Sequence, residues 1–244
     1  YFLAMREILV RYKQTILGIA WAVIRPLLTL IIFSVVFGKL AKLPSDGIPY
    51  PLLVLAGLLP WQLFSNALIE SSNSLVSNSN MISKVYFPRI IIPTSFTMVS
   101  LVDFSISFCL YIILFISYGC LPGIQILLLP LFILIAFISS LGIGLLFSAL
   151  NVKYRDVRYI VPFIVQLGLY ISPVGFNSSV VPEHWRLLYS LNPMTGVIDG
   201  FRWCLLGKES FIYWPGFVLS MGIVSLLFLA GFTYFRKTEK TFAD

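Results

Sequence analysis

The sequence predicts an all-α integral membrane protein: six transmembrane helices, an N-terminal amphipathic interface helix, and an outer helical hairpin between spans five and six. Three observations carry this. Charged residues are 11% of the 244 positions and hydrophobic residues 59%. A soluble domain carries about 25% charged residues, so this chain cannot cover itself with water-compatible surface. The apolar residues gather in stretches of the length a bilayer requires, and the basic residues concentrate in alternate loops. A single transmembrane domain over 1–244 follows: an interface helix at 1–23, spans one to five at 24–174, the outer hairpin at 175–213, and span six with a cytoplasmic tail at 214–244.

A spanning helix needs about 20 mostly apolar residues. Six such stretches are read as Ile24–Leu40, Leu52–Glu70, Pro93–Tyr118, Ile124–Leu150, Tyr159–Val174 and Trp214–Phe235. Pro60 interrupts the second, and Pro162, Gly168 and Pro173 make the fifth short and bent. Bent spans are tolerated where they pack on protein or line a cavity.

Six spans place both termini on one side. Arg6, Arg11, Lys13, Arg25, Lys84, Arg89, Lys153, Arg155, Arg158, Arg236, Lys237 and Lys240 share that side, and Lys39, Lys42, Arg186, Arg202 and Lys208 fall on the other. That is 12 of the 17 basic residues against 5. Basic loops stay in the cytoplasm, so both termini are expected there. The net charge of +7 reads as topology and attraction to anionic headgroups, not as nucleic-acid binding. The first span lacks a small-residue cleavage site, so no cleavable signal peptide is expected. The chain starts at Tyr1 rather than Met, which leaves room for a short piece before it.

Before the first span, Met5, Ile8, Leu9, Tyr12, Ile16 and Ile19 fall on one helical face, with Arg6, Glu7, Lys13 and Gln14 opposite; Val10 and Leu17 break the pattern. This predicts an amphipathic helix in the cytoplasmic interface. It either anchors the chain or meets both lipid and a cytoplasmic partner. After the second span, Ser77-Asn78-Ser79-Asn80 supplies caps and Pro88 stops a short helix that presents Val85, Tyr86 and Phe87. Such an apolar group dips into headgroups, the commoner fate, or docks in a protein groove. Residues 151–158 form a charged turn in which Asp156 can pair with Arg155 or Arg158 at little gain.

On the outer side, Pro182 starts one helix and Asn192-Pro193 caps a second through about Leu206. Together they read as a hairpin resting in the outer leaflet. Trp185, Tyr189, Trp203, Tyr213 and Trp214 suit an interfacial aromatic belt; contact with a passing sugar is the alternative. Ala136, Ser140, Gly144 and Ser148 repeat every four residues, a small-residue stripe for close helix packing within the chain or between subunits. Cys109, Cys120 and Cys204 lack ligand spacing and read as small apolar residues, so no metal site is expected.

Arg11-Tyr12-Lys13-Gln14-Thr15-Ile16-Leu17-Gly18 with Trp21 and Pro26-Leu27, then Lys84-Val85-Tyr86-Phe87-Pro88-Arg89, then Asn151-Val152-Lys153-Tyr154-Arg155-Asp156, then Asn192-Pro193 with Phe201-Arg202, occur in order along the whole chain. This pattern resembles the membrane subunits of ABC-type polysaccharide exporters, the branch that exports O-antigen, capsule or teichoic acid. The resemblance implies a homodimer joined by two cytoplasmic ABC ATPases in a bacterial inner membrane, with a lipid-linked polysaccharide, O-antigen foremost, as cargo. It makes the short helix a coupling helix with Ile82, Lys84, Val85, Tyr86, Phe87 and Arg89 at the ATPase, which reverses the headgroup preference. It makes the outer hairpin a gate, with Trp185, Tyr189, Asn192 and Pro193 as its candidate residues.

Elementary chemistry fits these roles. The chain has no Gly-x-x-x-x-Gly-Lys-Ser/Thr loop, so ATP and Mg are expected on the partner, no cofactor on this chain, and no enzyme activity in it. The resemblance implies a pyrophosphate-bearing lipid, which would land on Arg6, Arg11, Lys13 and Arg25, with Arg25 the foremost candidate because it abuts the first span. Phe33, Phe37, Trp61, Phe64, Phe163 and Tyr170 are candidate aromatics for a sugar path.

Two other classes compete. An ion-coupled lipid or drug flippase without an ATPase would use the intramembrane acids Asp103 and Glu70. No basic residue is expected in an apolar core to pair with them, and a relay would need more such groups. A membrane enzyme would need an acid–base cluster, and His184 stands alone beside Trp185.

Overall fold

The computed structural model describes residues 2–13, 20–44, 47–85, 87–120, 123–207 and 212–239. Among these the regular elements are helical: α1 (Phe2–Lys13), α2 (Ala20–Phe33, widened into a π-helix over Ser34–Leu40), α3 (Tyr50–Ser77), α4 (Ser79–Lys84), α5 (Ile91–Ser117), α6 (Leu129–Lys153, preceded by a 3₁₀ turn at Ile124–Leu128), α7 (Val157–Ile171), α8 (Glu183–Tyr189), α9 (Pro193–Leu206) and α10 (Trp214–Thr238). Five stretches are long and apolar enough to cross a bilayer: Ala20–Leu40, Tyr50–Ser77, Ile91–Ser117, Ile124–Lys153 and Trp214–Thr238. The chain is an all-α integral membrane bundle.

The expected fifth span is the shorter apolar helix α7, 15 residues long, a rise of about 22 Å against a hydrocarbon core of about 30 Å. It stops because Ser172 precedes Pro173 and takes an extended conformation with ψ 153°. The second span, expected to be interrupted, is a continuous helix through Pro60. It is also the centre of the molecule. Of its apolar window 83% is buried, against 17–33% for the other spans, because α2, α5, α6, α7 and α9 all pack on it. Its buried Ser71, Ser72 and Ser74 donate to carbonyls one turn back, Leu68, Ile69 and Ser71, at 3.3, 2.8 and 2.6 Å. Each hydroxyl is thereby satisfied without water.

Small residues set the helix spacing. A Cβ on Gly144 would lie 2.0 Å from Ser71 Oγ, so the stripe on α6 is consumed by packing on α3 within one chain. A Cβ on Gly231 of α10 would lie 1.9 Å from the Gly142 carbonyl oxygen of α6, so those two backbones touch.

At one end, Leu75, Ile82, Ile92, Leu145, Ala149 and Phe235 gather the ends of α3, α6 and α10 with α4 and the start of α5. At the other end lie α8 and α9, and here an expectation is corrected. The hairpin does not rest in the leaflet as a whole: Met194, Val197, Ile198, Phe201 and Cys204 of α9 are all 0% exposed. Helix α9 is core, packed on α3, α6 and α10; α8 is the surface arm, with Trp185 at 53% exposure. A 14-residue helix too short to span is apolar because protein, not lipid, covers it.

Candidate functional site

Helix α1 is tied to the bundle at successive levels. Arg6 Nη2 donates to Asn78 Oδ1 at 3.4 Å. Five residues on, Arg11 Nη1 reaches Asp103 Oδ2 on α5 at 2.6 Å, while its Nη2 pairs with Glu70 Oε1 on α3. Tyr12 donates its hydroxyl to the other Asp103 oxygen, and burial together with that carboxylate raises the Tyr12 pKa. This corrects the expectation that the two intramembrane acids have no cation. Arg11 was read as a cytoplasmic residue for a lipid headgroup, because nothing local to residue 11 announces partners 59 and 92 positions away. Its planar fork suits two carboxylates at once.

These side chains form one wall of a cavity of about 390 Å³, at the small end of the ligand-pocket range of roughly 300–1,000 Å³. Trp21 and Arg25 of α2 line it opposite Gln62, Asn66 and Glu70 of α3. Residues four apart share a helix face, so α2 contributes an aromatic and a cation and α3 a polar ladder. The side chains of Arg25, Gln62 and Asn66 make no hydrogen bond or ion pair among the described residues, and Glu70 Oε2 is buried without a partner. Of the four expected headgroup residues, the structure brings Arg11 and Arg25 to this cavity. Arg6 lies outside it and pairs with Glu7 at 3.1 Å; Lys13 ends α1, and its side chain lies outside the described residues. Gln62 and Asn66 were missed by sequence reading, although the spacing 62, 66, 70 in an otherwise apolar span was a visible signal.

The expected coupling residues divide. Ile82 is 8% exposed and belongs to the cluster with Phe235, so it holds α4 to the bundle and offers nothing to a partner. Lys84 is exposed, Val85 is 57% exposed, and Phe87 is half-buried against the same cluster. Arg89 donates to the Glu239 carbonyl and so links this loop to the end of α10. Tyr86 lies outside the described residues.

The candidate path aromatics also divide. Trp61 and Phe64 are buried core residues of the single chain and line no surface of it; the Trp61 ring fills the space left by Gly168 on α7. Phe33, itself 5% exposed, packs on Phe37 and Tyr170 with ring centroids 5.2 and 6.4 Å away. Phe163 and Tyr170 lie open on α7.

At the α8–α9 end a buried cation organises the chain. Arg202 of α9, 2% exposed, donates to the carbonyls of Leu53, Phe176 and Val174 at 3.2, 2.7 and 2.8 Å. It thereby pins the segment after α7 to the start of α3. Burial lowers its pKa to about 10 and raises that of Asp199, one turn earlier, to about 6. Asp199 Oδ1 has no hydrogen-bond partner among the described residues. Of the expected gate residues, Tyr189 donates to the Ile171 carbonyl at 2.7 Å and Asn192 to Ser172 Oγ at 2.8 Å. Asn192 also caps α9, accepting from the Met194 amide at 3.0 Å, with Pro193 in its first turn.

The described residues thus form a multi-pass helical membrane bundle with a small helix packed at one end and a charged cavity lined by α1, α2, α3 and α5. The chain belongs to the ABC-2 type transporter family, whose model matches residues 1–206. It is similar to an O-antigen export system permease protein, RfbA, of Klebsiella pneumoniae, at 28% identity over 98% of this chain and 91% of that protein. It is similar to RfbA of Myxococcus xanthus at 28% over 82% of this chain and 77% of that one. The polysialic acid transport protein KpsM of Escherichia coli is 28% identical over 95% of this chain and 86% of its own length.

Proposed function

We propose that this chain is the membrane subunit of an ATP-driven exporter that moves a lipid-linked polysaccharide, O-antigen foremost, across a bacterial inner membrane. Two copies act with two cytoplasmic ABC ATPases, which hold ATP and Mg, and both termini face the cytoplasm. The observation that carries the reading is the family match together with similarity over 77–91% of the length of two O-antigen export permeases and a polysialic acid transport protein. The geometry supports it. The end that gathers α4 and the termini of α1 and α10 is the basic end. There Lys84 and Val85 are exposed, and with Tyr86, next in the sequence, they make a docking group for an ATPase cleft. The arm α8, with Trp185 outward and Tyr189 held to the end of α7, is the movable part of the outer gate; α9 is its fixed seat. An ion-coupled reading loses its relay, because Asp103 and Glu70 are both held by Arg11.

The test is purification of the chain with its ATPase, followed by mass spectrometry of retained glycolipid. Recovery of both supports the reading; a chain that binds no ATPase and retains no glycan overturns it.

A further inference from the structure

The cavity between α2, α3 and α5 has a built polarity that narrows what it can hold. Its cations are not equivalent. Arg11 is committed to Glu70 and Asp103, whereas the Arg25 side chain has no partner among the described residues. An anion entering the cavity therefore meets one available guanidinium. Against it stands the ladder Gln62, Asn66 and Glu70, with two amides and a carboxylate oxygen that has no partner. Amides and carboxylates are the groups that hydroxyls pair with, and Trp21 adds an aromatic wall. A phosphate joined to a hydroxyl-rich ring satisfies both walls; a plain lipid phosphate leaves Asn66 and Glu70 unused.

The two walls are also ordered in depth. Ser107 of α5 lies one turn beyond Asp103, farther from the α4 end, and its hydroxyl donates to the Ala22 carbonyl at 3.4 Å. The Trp21–Arg25 turn of α2 thus sits deeper in the bundle than the Arg11–Asp103 pair. A ligand held here has its anion deep and its ring toward the α4 end. That is the order in a glycolipid whose tail lies in the bilayer: lipid, then phosphate, then sugar.

We propose that this cavity is a glycosyl-phosphate site, in which Arg25, aided by Gln62, takes the phosphate and Asn66 with Glu70 reads hydroxyls of the first sugar. This rests on the polysaccharide-export reading and adds to it that the chain itself inspects the sugar nearest the lipid.

The test uses the chain in nanodiscs with two radiolabelled probes, polyprenyl phosphoryl glucose and polyprenyl phosphate. Asn66→Leu is expected to weaken binding of the first about tenfold, one hydrogen-bonded group's worth, and to leave the second unchanged; the second probe thus also reports folding. Arg25→Gln is expected to weaken both. Soluble glucose 1-phosphate is expected not to displace the glycolipid at equal concentration. Equal effects of Asn66→Leu on both probes, no effect on either, or full displacement by glucose 1-phosphate overturns the proposal. Binding needs no ATPase, so the two readings fail separately. Wild-type binding without glycolipid-stimulated hydrolysis in the ATPase complex would sink the export reading. Stimulated hydrolysis that Asn66→Leu leaves untouched would sink the site.

Discussion

Arg11 and Asp103, 92 residues apart, meet at 2.6 Å where the N-terminal helix crosses the flank of α5. The same guanidinium holds Glu70, so one side chain from outside the spans pairs with acids on two of them. Its removal leaves two partly buried carboxylates facing each other. Because all three side chains keep 19–32% of their exposure, the cost of Arg11→Gln is expected near the low end for a broken buried pair, about 2 kcal/mol. Thermal unfolding in detergent reads it. Arg11→Gln with Asp103→Asn and Glu70→Gln should recover most of the loss; a triple variant no better than the single one would refute the pairing.

Arg202 makes a different kind of contact, spanning three carbonyls and no carboxylate within ion-pair distance among the described residues. Arg202→Lys keeps the charge but cannot reach Leu53, Val174 and Phe176 together. It is therefore expected to destabilise by about 3 kcal/mol and to free the segment after α7. Increased protease cleavage in residues 172–180 checks this, and a wild-type digestion pattern contradicts it.

Asp199 gives the α8–α9 end a pH dependence. Its folded pKa of about 6 lies above its ordinary 3.8, so the folded protein binds that proton more tightly than the unfolded chain does. The stability this confers is complete below about pH 4 and is lost as pH rises through 6, a fall of about 2–3 kcal/mol. Asp199→Asn cannot ionise and should lack that fall. Melting curves from pH 4.5 to 8 should therefore diverge as pH rises, the variant becoming the more stable. Parallel curves would show that Asp199 does not titrate in this window.

The α4 loop separates folding from coupling. Ile82→Ala opens a cavity against Phe235 and Leu145 and is expected to cost about 2–4 kcal/mol. Changing exposed Val85 together with Tyr86 to Ala should leave insertion intact and release the ATPase, since an interface aromatic often carries about 2 kcal/mol. Pull-down of the ATPase by the double variant, against detergent stability of both variants, checks the division. Full ATPase retention would remove α4 from the interface.

Five of the six expected spans, the helical start and the short α4 were legible because composition and periodicity act over short stretches. Long-range placement was not. Arg202 stood in a visible Phe201-Arg202 landmark, yet its acceptor at Leu53 is 149 residues away. Helix α9 reads as interfacial because Val197, Ile198 and Phe201 are equally at home against lipid or protein. Only the packing of α3, α6 and α10 around it decides. Trp61 was taken for a path residue for the same reason, and Gly168 on α7 is what makes room for it in the core.

The central claim is ATP-driven movement of a lipid-linked polysaccharide through this subunit. Its most direct measurement is a proteoliposome assay with the chain, its ATPase and labelled lipid-linked polymer on the nucleotide side. Labelled polymer should become protected in the lumen when ATP and Mg are added, and should not do so without ATP or with a hydrolysis-dead ATPase. Protection at the same rate in all three conditions, or in none while the complex hydrolyses ATP, would contradict it.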